Sequence, residues 1–347
     1  MSTKQKHILV TGGAGFIGSH TVVELIEAGY TPVIIDDFRN SERFIPERLE
    51  KLTNQQIIAV DAACQDVEVL DSLFSKYNFE GVIHFAADKA VGESVSDPLK
   101  YYDNNLSSLI SILRMMDKYN TKSLVFSSSC TVYGNPKSTT GKSVVTEDSI
   151  HLNPDSPYGN TKLIGEQILQ DWIASSSRSN VALLRYFNPI GAHASGEIGE
   201  LPQGIPNNLL PYITQTAVGI REKLTVFGND YDTEDGTCIR DYIHVCDLAD
   251  AHVSAIKWLD LQTNPGIEIF NIGTGKGTSV LEMVQAFEKV IGKPLSWEYG
   301  PKRSGDIPEI YANPIKAKEM LQWESKFSIF QAIEDAWRWE NNRPKND

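Results

Sequence analysis

The chain has 347 residues, 41% of them hydrophobic, enough to bury one large core or two that share a boundary. Its formal net charge is −13 and no Lys/Arg block occurs, which excludes a wide electrostatic footprint on nucleic acid or anionic lipid. No apolar run reaches the roughly 18 residues of a membrane helix, and MSTKQKHILV lacks the long apolar core of a secretory signal.

Cys64, Cys130, Cys238 and Cys246 show no CxxC or zinc-ligand spacing, and none of the seven histidines falls in HExxH. The expectation is a cytoplasmic protein with no metal site.

Taken in chain order, short β-rich runs alternate with helix-period segments. HILVT precedes a helix over 16–28; PVIID precedes a loop; IIAVD precedes a helix over 66–77; GVIHFAA precedes a helix over 98–119; KSLVFSSS precedes a loop. These runs are apolar almost throughout rather than alternating, as parallel strands covered on both faces must be. The pattern predicts an α/β fold, a doubly wound, mostly parallel Rossmann sheet with right-handed crossovers.

A helix beginning near Tyr158 and the strand VALLRYFN continue the series, after which NPIGAHASGEIGELPQGIPNN reads as a long ordered loop. Helix-like VCDLADAHVSAIKWL and strand-like EIFNIG return the chain to the sheet. The expected division is 1–188 with 240–275 as a cofactor-binding domain, and 189–239 with 276–347 as a smaller, discontinuous α/β substrate domain.

Between the first strand and helix lies TGGAGFIGSH, readable as GxxGxxG through Gly12, Gly15 and Gly18 or as GxGxxG through Gly13, Gly15 and Gly18. Either reading permits a tight turn, a close approach to a pyrophosphate and a helix N-terminus aimed at the anion. The next strand ends in Asp36, at the distance where a carboxylate accepts bonds from an adenosine ribose and repels a 2′-phosphate, favouring NAD over NADP. Arg39 argues the other way, since a guanidinium could accommodate that phosphate. Asp61, ending the third strand, suits either an adenine edge or an ordinary turn.

Tyr158 and Lys162 are four apart in SPYGNTKLIGEQIL, and so are Tyr133 and Lys137 in YGNPK. Glycine and proline forbid a regular helix in the second pair, whereas the first heads a run of helical period that sets i and i+4 on one face. A phenol titrates near 10. One cation about 6 Å away at an effective dielectric of about 20 favours phenolate by roughly 2.8 kcal/mol, and an oxidised nicotinamide ring would add a second charge. A base poised near neutral pH is the expected outcome. The serines Ser127, Ser128 and Ser129 end a strand at the sheet's carboxyl edge, where ligands bind, and the residues alone do not rank them.

Glycine fingerprint, serine strand and YxxxK helix together resemble the extended short-chain dehydrogenase/reductase superfamily, and within it the UDP-hexose 4-epimerase family. The likeness spans nearly the whole chain: HFAADKAVGESV, YYDNN, FSSSCTVYG, RYFNPIGAH, PQGIPNNLLPYI, FGNDYDTEDGTCIRDYIHV and the RSGDIPE segment all take part. It implies bound NAD, UDP-galactose and UDP-glucose as substrates, and a homodimer built through helices 98–119 and 158–175.

Carried over by position, the resemblance makes Ser129, Tyr158 and Lys162 catalytic. It assigns Gly12, Gly15, Phe16, Ile17, Gly18, Asp36, Asp61, Phe85, Lys89 and Asn104 to the cofactor, with Tyr158 and Lys162 alongside. Lys89, Ser129, Tyr158, Tyr186, Asn188, Asn208, Leu209, Phe227, Arg240, Tyr242, Arg303, Asp306 and Ile310 would form the UDP-sugar site, where two arginines can clamp a diphosphate and Phe227 can cover uracil.

The loop around KSTTGKSVV is about four residues longer than in many relatives. Ile310, or Tyr311 with a one-residue shift, stands where an aromatic would restrict the sugar pocket; Ile310 there implies room for UDP-N-acetylhexosamines. A 4,6-dehydratase would carry Asp-Glu where this chain has Cys130 and Thr131, so elimination lacks its acid and base. A non-catalytic NAD sensor would have no use for Tyr158 and Lys162.

Overall fold

The computed structural model describes residues 5–136, 143–149, 152–176, 178–303 and 305–344. The first half runs β1 (His7–Thr11), α1 (Phe16–Glu27), β2 (Thr31–Asp36), α2 (Ile45–Thr53), β3 (Ile58–Asp61), α3 (Val67–Lys76), β4 (Phe79–His84), α4 (Val91–Ser96), α5 (Pro98–Tyr119) and β5 (Ser123–Ser127). A single 3-10 turn, Cys130–Tyr133, then precedes β6 (Val144–Val145), α6 (Pro157–Ser176) and β7 (Asn180–Tyr186).

The second half comprises β8 (Asn188–Ile190), α7 (Leu209–Ala217), β9 (Leu224–Phe227), β10 (Ile239–Arg240), β11 (Tyr242–His244), α8 (Val245–Asp260) and β12 (Gly266–Ile272). It ends with β13 (Thr278–Ser279), α9 (Val280–Ile291), β14 (Trp297–Gly300), β15 (Glu309–Ala312), α10 (Ile315–Leu321) and α11 (Ile329–Asn342).

Seven parallel strands form one sheet in the order β12-β7-β5-β4-β1-β2-β3, the doubly wound Rossmann arrangement expected. Its strands are apolar on both faces because both are covered. Ile8, Val10, Ile34, Ile83, Val125 and Leu184 pack on one side with α1 and α8; Leu9, Val33, Ile35, Val82, Leu124, Phe126 and Leu183 pack on the other with α3, α5 and α6. Each such side chain contributes about 1.5–3 kcal/mol on burial.

The strand order reverses between β1 and β4, where the crevice at the carboxyl ends of an open α/β sheet receives its ligand.

Two helices occupy segments read from the sequence as loop. In α2 only Ile45, Leu49 and Leu52 turn inward, and Asn54 in the left-handed conformation ends it, so the apolar repeat is too brief to register. The six-residue α4 is shorter than two turns.

A second core joins α7, α9 and α11 through Leu210, Ile213, Met283, Phe287 and Ile333. Beside it, a four-stranded sheet in the order β13-β10-β15-β6 links the C-terminal segment to the loop after β5. Ala317, Leu321 and Trp323 from the C-terminal segment pack into the first core, and the Trp323 indole donates to the Asp247 carbonyl at 2.9 Å.

Candidate active site

Gly12 ends β1 at φ +68, and a Cβ there would come within 3.0 Å of the Ala86 amide. A Cβ on Gly18 would stand 2.3 Å from the Gly12 carbonyl, so α1 can approach β1 only without one. Gly15 is different: a Cβ there would meet only the Gly12 oxygen, at 3.2 Å. Its outer side stays open, and it begins α1 with no side-chain cap, leaving the first helical N–H groups for an anion.

Asp36 accepts from the Ala14 amide at 3.0 Å, the Phe38 amide at 2.9 Å and the Ser41 hydroxyl at 2.8 Å. Burial raises its pKa, and those three bonds pull against the rise. A carboxylate has about four acceptor sites, so one remains for a ribose hydroxyl. Arg39 is engaged by Asp37 at 3.1 Å and donates to Asn104, which also accepts from Gln65 at 2.8 Å.

A cavity of about 670 Å³ opens along this edge. It brings together Gly12, Gly15, Phe16, Ile17, Gly18, Asp36, Phe85, Lys89, Asn104, Tyr158, Lys162, Tyr186 and Asn208. Asp61 does not line it: the carboxylate pairs with exposed Arg43 instead. Glu200, which nothing in the sequence singled out, bridges Lys89 at 3.4 Å and Asn208 at 2.6 Å across the cavity wall. A glutamate inside a long loop carries no local signal of such a role.

Pro157 opens α6, and the Ser156 hydroxyl accepts from the Gly159 amide at 3.1 Å, a serine cap before a first-turn proline. At the second position of the helix, the buried Tyr158 has Ser129 and Tyr186 as side chains that act on its phenol. Tyr186 in turn accepts from Ser127 at 3.2 Å. Lys162 donates to the Ser127 carbonyl at 2.7 Å, with its Nζ 5.9 Å from the Tyr158 ring centre. Hydrogen bonds separate the serines: Ser127 donates to Tyr186, Ser128 turns into the core to donate to Glu166 at 2.5 Å, and Ser129 accepts from the Thr131 amide at 3.2 Å while its side chain favours the ionised Tyr158.

Burial pushes the Lys162 ammonium down to about 8, with Glu166 opposing the shift. The Tyr158 phenol is driven well above its ordinary value, first by burial and then by Tyr186. Loss of water around the buried phenol thus outweighs one partly desolvated cation, and the expected base near neutral pH rests on the second charge, that of an oxidised nicotinamide ring.

The other expected substrate residues form a second cluster off the main cavity. Arg303 binds Asp306 through two bonds of 3.0 and 2.9 Å and lies 4.9 Å over the Phe227 ring. Tyr231 donates to the same carboxylate at 3.3 Å. Arg240 donates to the Ile239 carbonyl at 2.9 Å and lies close enough to Tyr242 and Cys130 to favour their ionised forms. Cys130 acts on Tyr158, so this cluster borders the Ser-Tyr-Lys group.

Asn188 donates its amide to the Asp241 carbonyl at 3.0 Å, and Leu209 begins α7. Ile310 is buried in an apolar cluster with Val132, Tyr133 and Phe187, and does not line the cavity. In the competing pair, Tyr133 is buried while Lys137 lies outside the described residues. Among the described residues, no group of three or more His, Cys, Asp or Glu is arranged to hold a metal ion, and no helix is long and apolar enough to cross a membrane.

The strand order, the glycine turn and the buried Ser-Tyr-Lys set define a dinucleotide-binding α/β enzyme of the extended short-chain dehydrogenase/reductase type. The family model for NAD dependent epimerases and dehydratases matches residues 8–273, and the chain belongs to that family. It is 51% identical over 335 residues to the UDP-glucose 4-epimerase of Bacillus subtilis, covering 96% of this chain and 97% of the relative. The UDP-glucose 4-epimerase of Homo sapiens is 50% identical over 345 residues, with 97% of each chain covered. The solved structure of UDP-glucose 4-epimerase from Bifidobacterium longum with NAD+ and UDP superimposes with a TM-score of 0.92 at 44% identity, over 98% of this chain and 99% of that one.

The residues present fit an NAD cofactor. The open side of Gly15, the uncapped start of α1 and the remaining acceptor site of Asp36 line a single cavity that ends at Tyr158 and Lys162.

Proposed function

We propose that this chain interconverts UDP-galactose and UDP-glucose by reversible inversion at sugar C4, with Ser129, Tyr158 and Lys162 as its catalytic residues. The observation that carries the reading is the buried Tyr158, with Tyr186 beside it and the Lys162 Nζ 5.9 Å from its ring centre, in the same cavity as the glycine turn.

The chemistry that NAD supplies when bound is reversible acceptance of the C4 hydride. Gly12, Gly15, Phe16, Ile17, Gly18, Asp36, Phe85, Lys89 and Asn104 hold that cofactor. Asp61 belongs to the adenosine end only if its pair with Arg43 opens. Tyr158 takes the C4 hydroxyl proton, directly or through Ser129, and gives it back to the C4 oxygen after the sugar has presented its other face. Lys162 keeps a positive charge beside the phenolate. Arg240 and Arg303 clamp the diphosphate, Phe227 covers uracil and Asp306 accepts ribose hydroxyls, while Asn188, Asn208, Leu209, Tyr186 and Tyr242 line the rest. Anchoring through UDP leaves the 4-keto sugar free to present its opposite face.

This assignment requires Arg303 to exchange part of its bidentate bond with Asp306 for phosphate. It also divides the labour between a cofactor unit, 1–188 with 240–275, and a UDP-sugar unit, 189–239 with 276–347, across which α10 docks on the first core. A homodimer is part of the proposal. Helices α5 and α6 pack side by side, and Val95, Leu99 and Ile110 are exposed on α4 and α5. Light scattering tests it. A cytoplasmic location belongs to the same reading.

A wider substrate range is part of the proposal only if Ile310, which is buried with Val132, Tyr133 and Phe187 and does not line the cavity, borders the sugar once UDP-sugar is bound. Turnover of UDP-GalNAc comparable with UDP-galactose supports that extension; none detectable rejects it.

The test of the main reading is incubation of purified protein with UDP-galactose, without added NAD, followed by a coupled assay for UDP-glucose. Product formation supports a retained, self-regenerating cofactor. No product even with NAD supplied, from folded protein that binds NAD, rejects the substrate assignment.

A further inference from the structure

Tyr158, Lys162 and Glu166 lie at successive i+4 positions of α6, one above another on a single face. The first two face the cavity; the third points into the protein. Glu166 is 1% exposed and receives two bonds from Arg185 on β7, at 2.9 and 2.6 Å, the bidentate geometry that best compensates a buried carboxylate. Its Oε1 also accepts from Ser128 at 2.5 Å. Arg185, itself 2% exposed, donates onward to the Tyr133 hydroxyl at 3.1 Å, and that hydroxyl donates to Asn271 at 2.7 Å. The Asn271 amide reaches the Val145 carbonyl at 3.0 Å, on the strand paired with β15.

We propose that Glu166, held by Arg185, is a positioning residue for the reaction: it fixes Ser128 between the two serines that act on Tyr158 and Tyr186, and holds a negative charge one turn behind Lys162. The inference rests on the functional reading given above.

Removing both charges of a buried pair and filling the space with apolar groups is often neutral or stabilising, so stability alone does not explain this one. Two features of its placement do. Ser128 lies between Ser127, whose carbonyl receives Lys162 and whose hydroxyl reaches Tyr186, and Ser129, whose side chain acts on Tyr158. Locking the middle residue to a rigid carboxylate therefore sets the direction of both neighbours.

The second feature is charge. The titratable and charged groups that face Lys162 are Tyr158 and Glu166 on its own helix and His84 on β4, while Arg185 acts on it through Glu166. His84 is fully buried with its pKa pushed down to about 3, so it stays neutral. Tyr158 is a neutral phenol before reaction. Glu166 is thus the anion that counters the desolvation of Lys162.

Tyr133 gains a role from the same network. Its hydroxyl joins Arg185 to Asn271, which explains a buried tyrosine in a turn that carries no catalysis.

The experiment is the pH dependence of kcat and KM for UDP-galactose with Glu166→Gln, which keeps the acceptor for Ser128 and removes the charge. The expected result is an alkaline limb displaced downward by about one pH unit, hence a roughly twofold fall in kcat at pH 7 that grows to about fivefold at pH 8, with KM for UDP-galactose within about twofold. Because Glu166→Gln leaves a buried guanidinium unpaired, Glu166→Gln with Arg185→Met is the second variant, and the same displacement is expected of it. A folded variant of either kind whose kcat and alkaline limb match the wild type overturns the proposal. A wild type without epimerase activity takes down the functional reading and this inference together, whereas an active wild type with unmoved variants overturns this inference alone.

Discussion

Lys162 stands one helical turn beyond Tyr158 and gives its proton not to the phenol but to the Ser127 carbonyl, at 2.7 Å. The ammonium is therefore fixed 5.9 Å from the centre of the Tyr158 ring, near enough to act through space and held so that it does not take the phenolic proton itself. Burial opposes ionisation of both groups, raising the tyrosine and lowering the lysine. The protein alone keeps the tyrosine neutral; a base is generated only when further positive charge enters the cavity.

Replacing Tyr158 by Phe removes the buried phenolic hydroxyl that the proposed reaction uses as its base. Turnover is expected to fall by about 10²- to 10⁴-fold, the usual worth of general acid–base catalysis. NAD binding by the purified variant, read by fluorescence titration, should stay close to wild type, because the glycine turn and Asp36 are untouched.

The Lys162 ammonium titrates at about 8 in the folded chain and at 10.5 when unfolded. Its charge is present below about pH 8 and lost above it, so kcat should decline along an alkaline limb centred there. The sign for stability is separate. Between pH 8 and 10.5 the unfolded chain binds the proton and the native chain does not, so this group's penalty is complete below pH 8 and relieved as pH rises. Lys162→Met should abolish the limb near pH 8, lower kcat and raise the denaturation midpoint at neutral pH; a pH–rate profile with urea titrations at pH 7 checks all three.

Gly15 and Gly18 are expected to respond differently to alanine. In Gly18→Ala the methyl would stand 2.3 Å from a backbone carbonyl, forcing α1 away from β1. The cost is about 3 kcal/mol, read as a lowered urea midpoint. In Gly15→Ala the one contact is the Gly12 carbonyl oxygen at 3.2 Å, which a shift of a few tenths of an ångström relieves. Stability should hold while NAD affinity drops, measured by calorimetry on protein stripped of nucleotide.

Three fully buried histidines make the fold sensitive to acid. Burial pushes His20 down to about 3, His84 to about 3 and His252 to about 4. Unfolded, all three bind a proton near pH 6.5. A group with a depressed folded pKa stabilises above the unfolded value, and that contribution is lost as pH falls toward the folded one. Glu24, raised to about 7 by part burial, opposes with less than one group's weight. The net loss should be roughly 3 kcal/mol per pH unit between pH 6 and 4.5, seen as a falling urea midpoint.

What the sequence determined by itself was local. The glycine turn, the helix beginning near Tyr158 and the all-apolar strands each depend on neighbours within a few residues, where propensity and periodicity act directly. The i, i+4 spacing of Tyr158 and Lys162 was equally legible, because a helix fixes it. Short α2 and α4 escaped because neither repeats its apolar face long enough.

Tertiary structure decided the rest. Which serine acts on Tyr158, how Glu200 joins Lys89 to Asn208, and why Tyr133 is buried all follow from partners far apart in the chain: Lys89 and Glu200 are separated by 111 residues, Arg185 and Tyr133 by 52. No local rule reads such pairs, since the sheet order that brings them together is a property of the whole fold. The charge state of Tyr158 belongs here as well. Its ionisation is governed by the water that the assembled protein excludes, a quantity that exists only once the chain has closed around it.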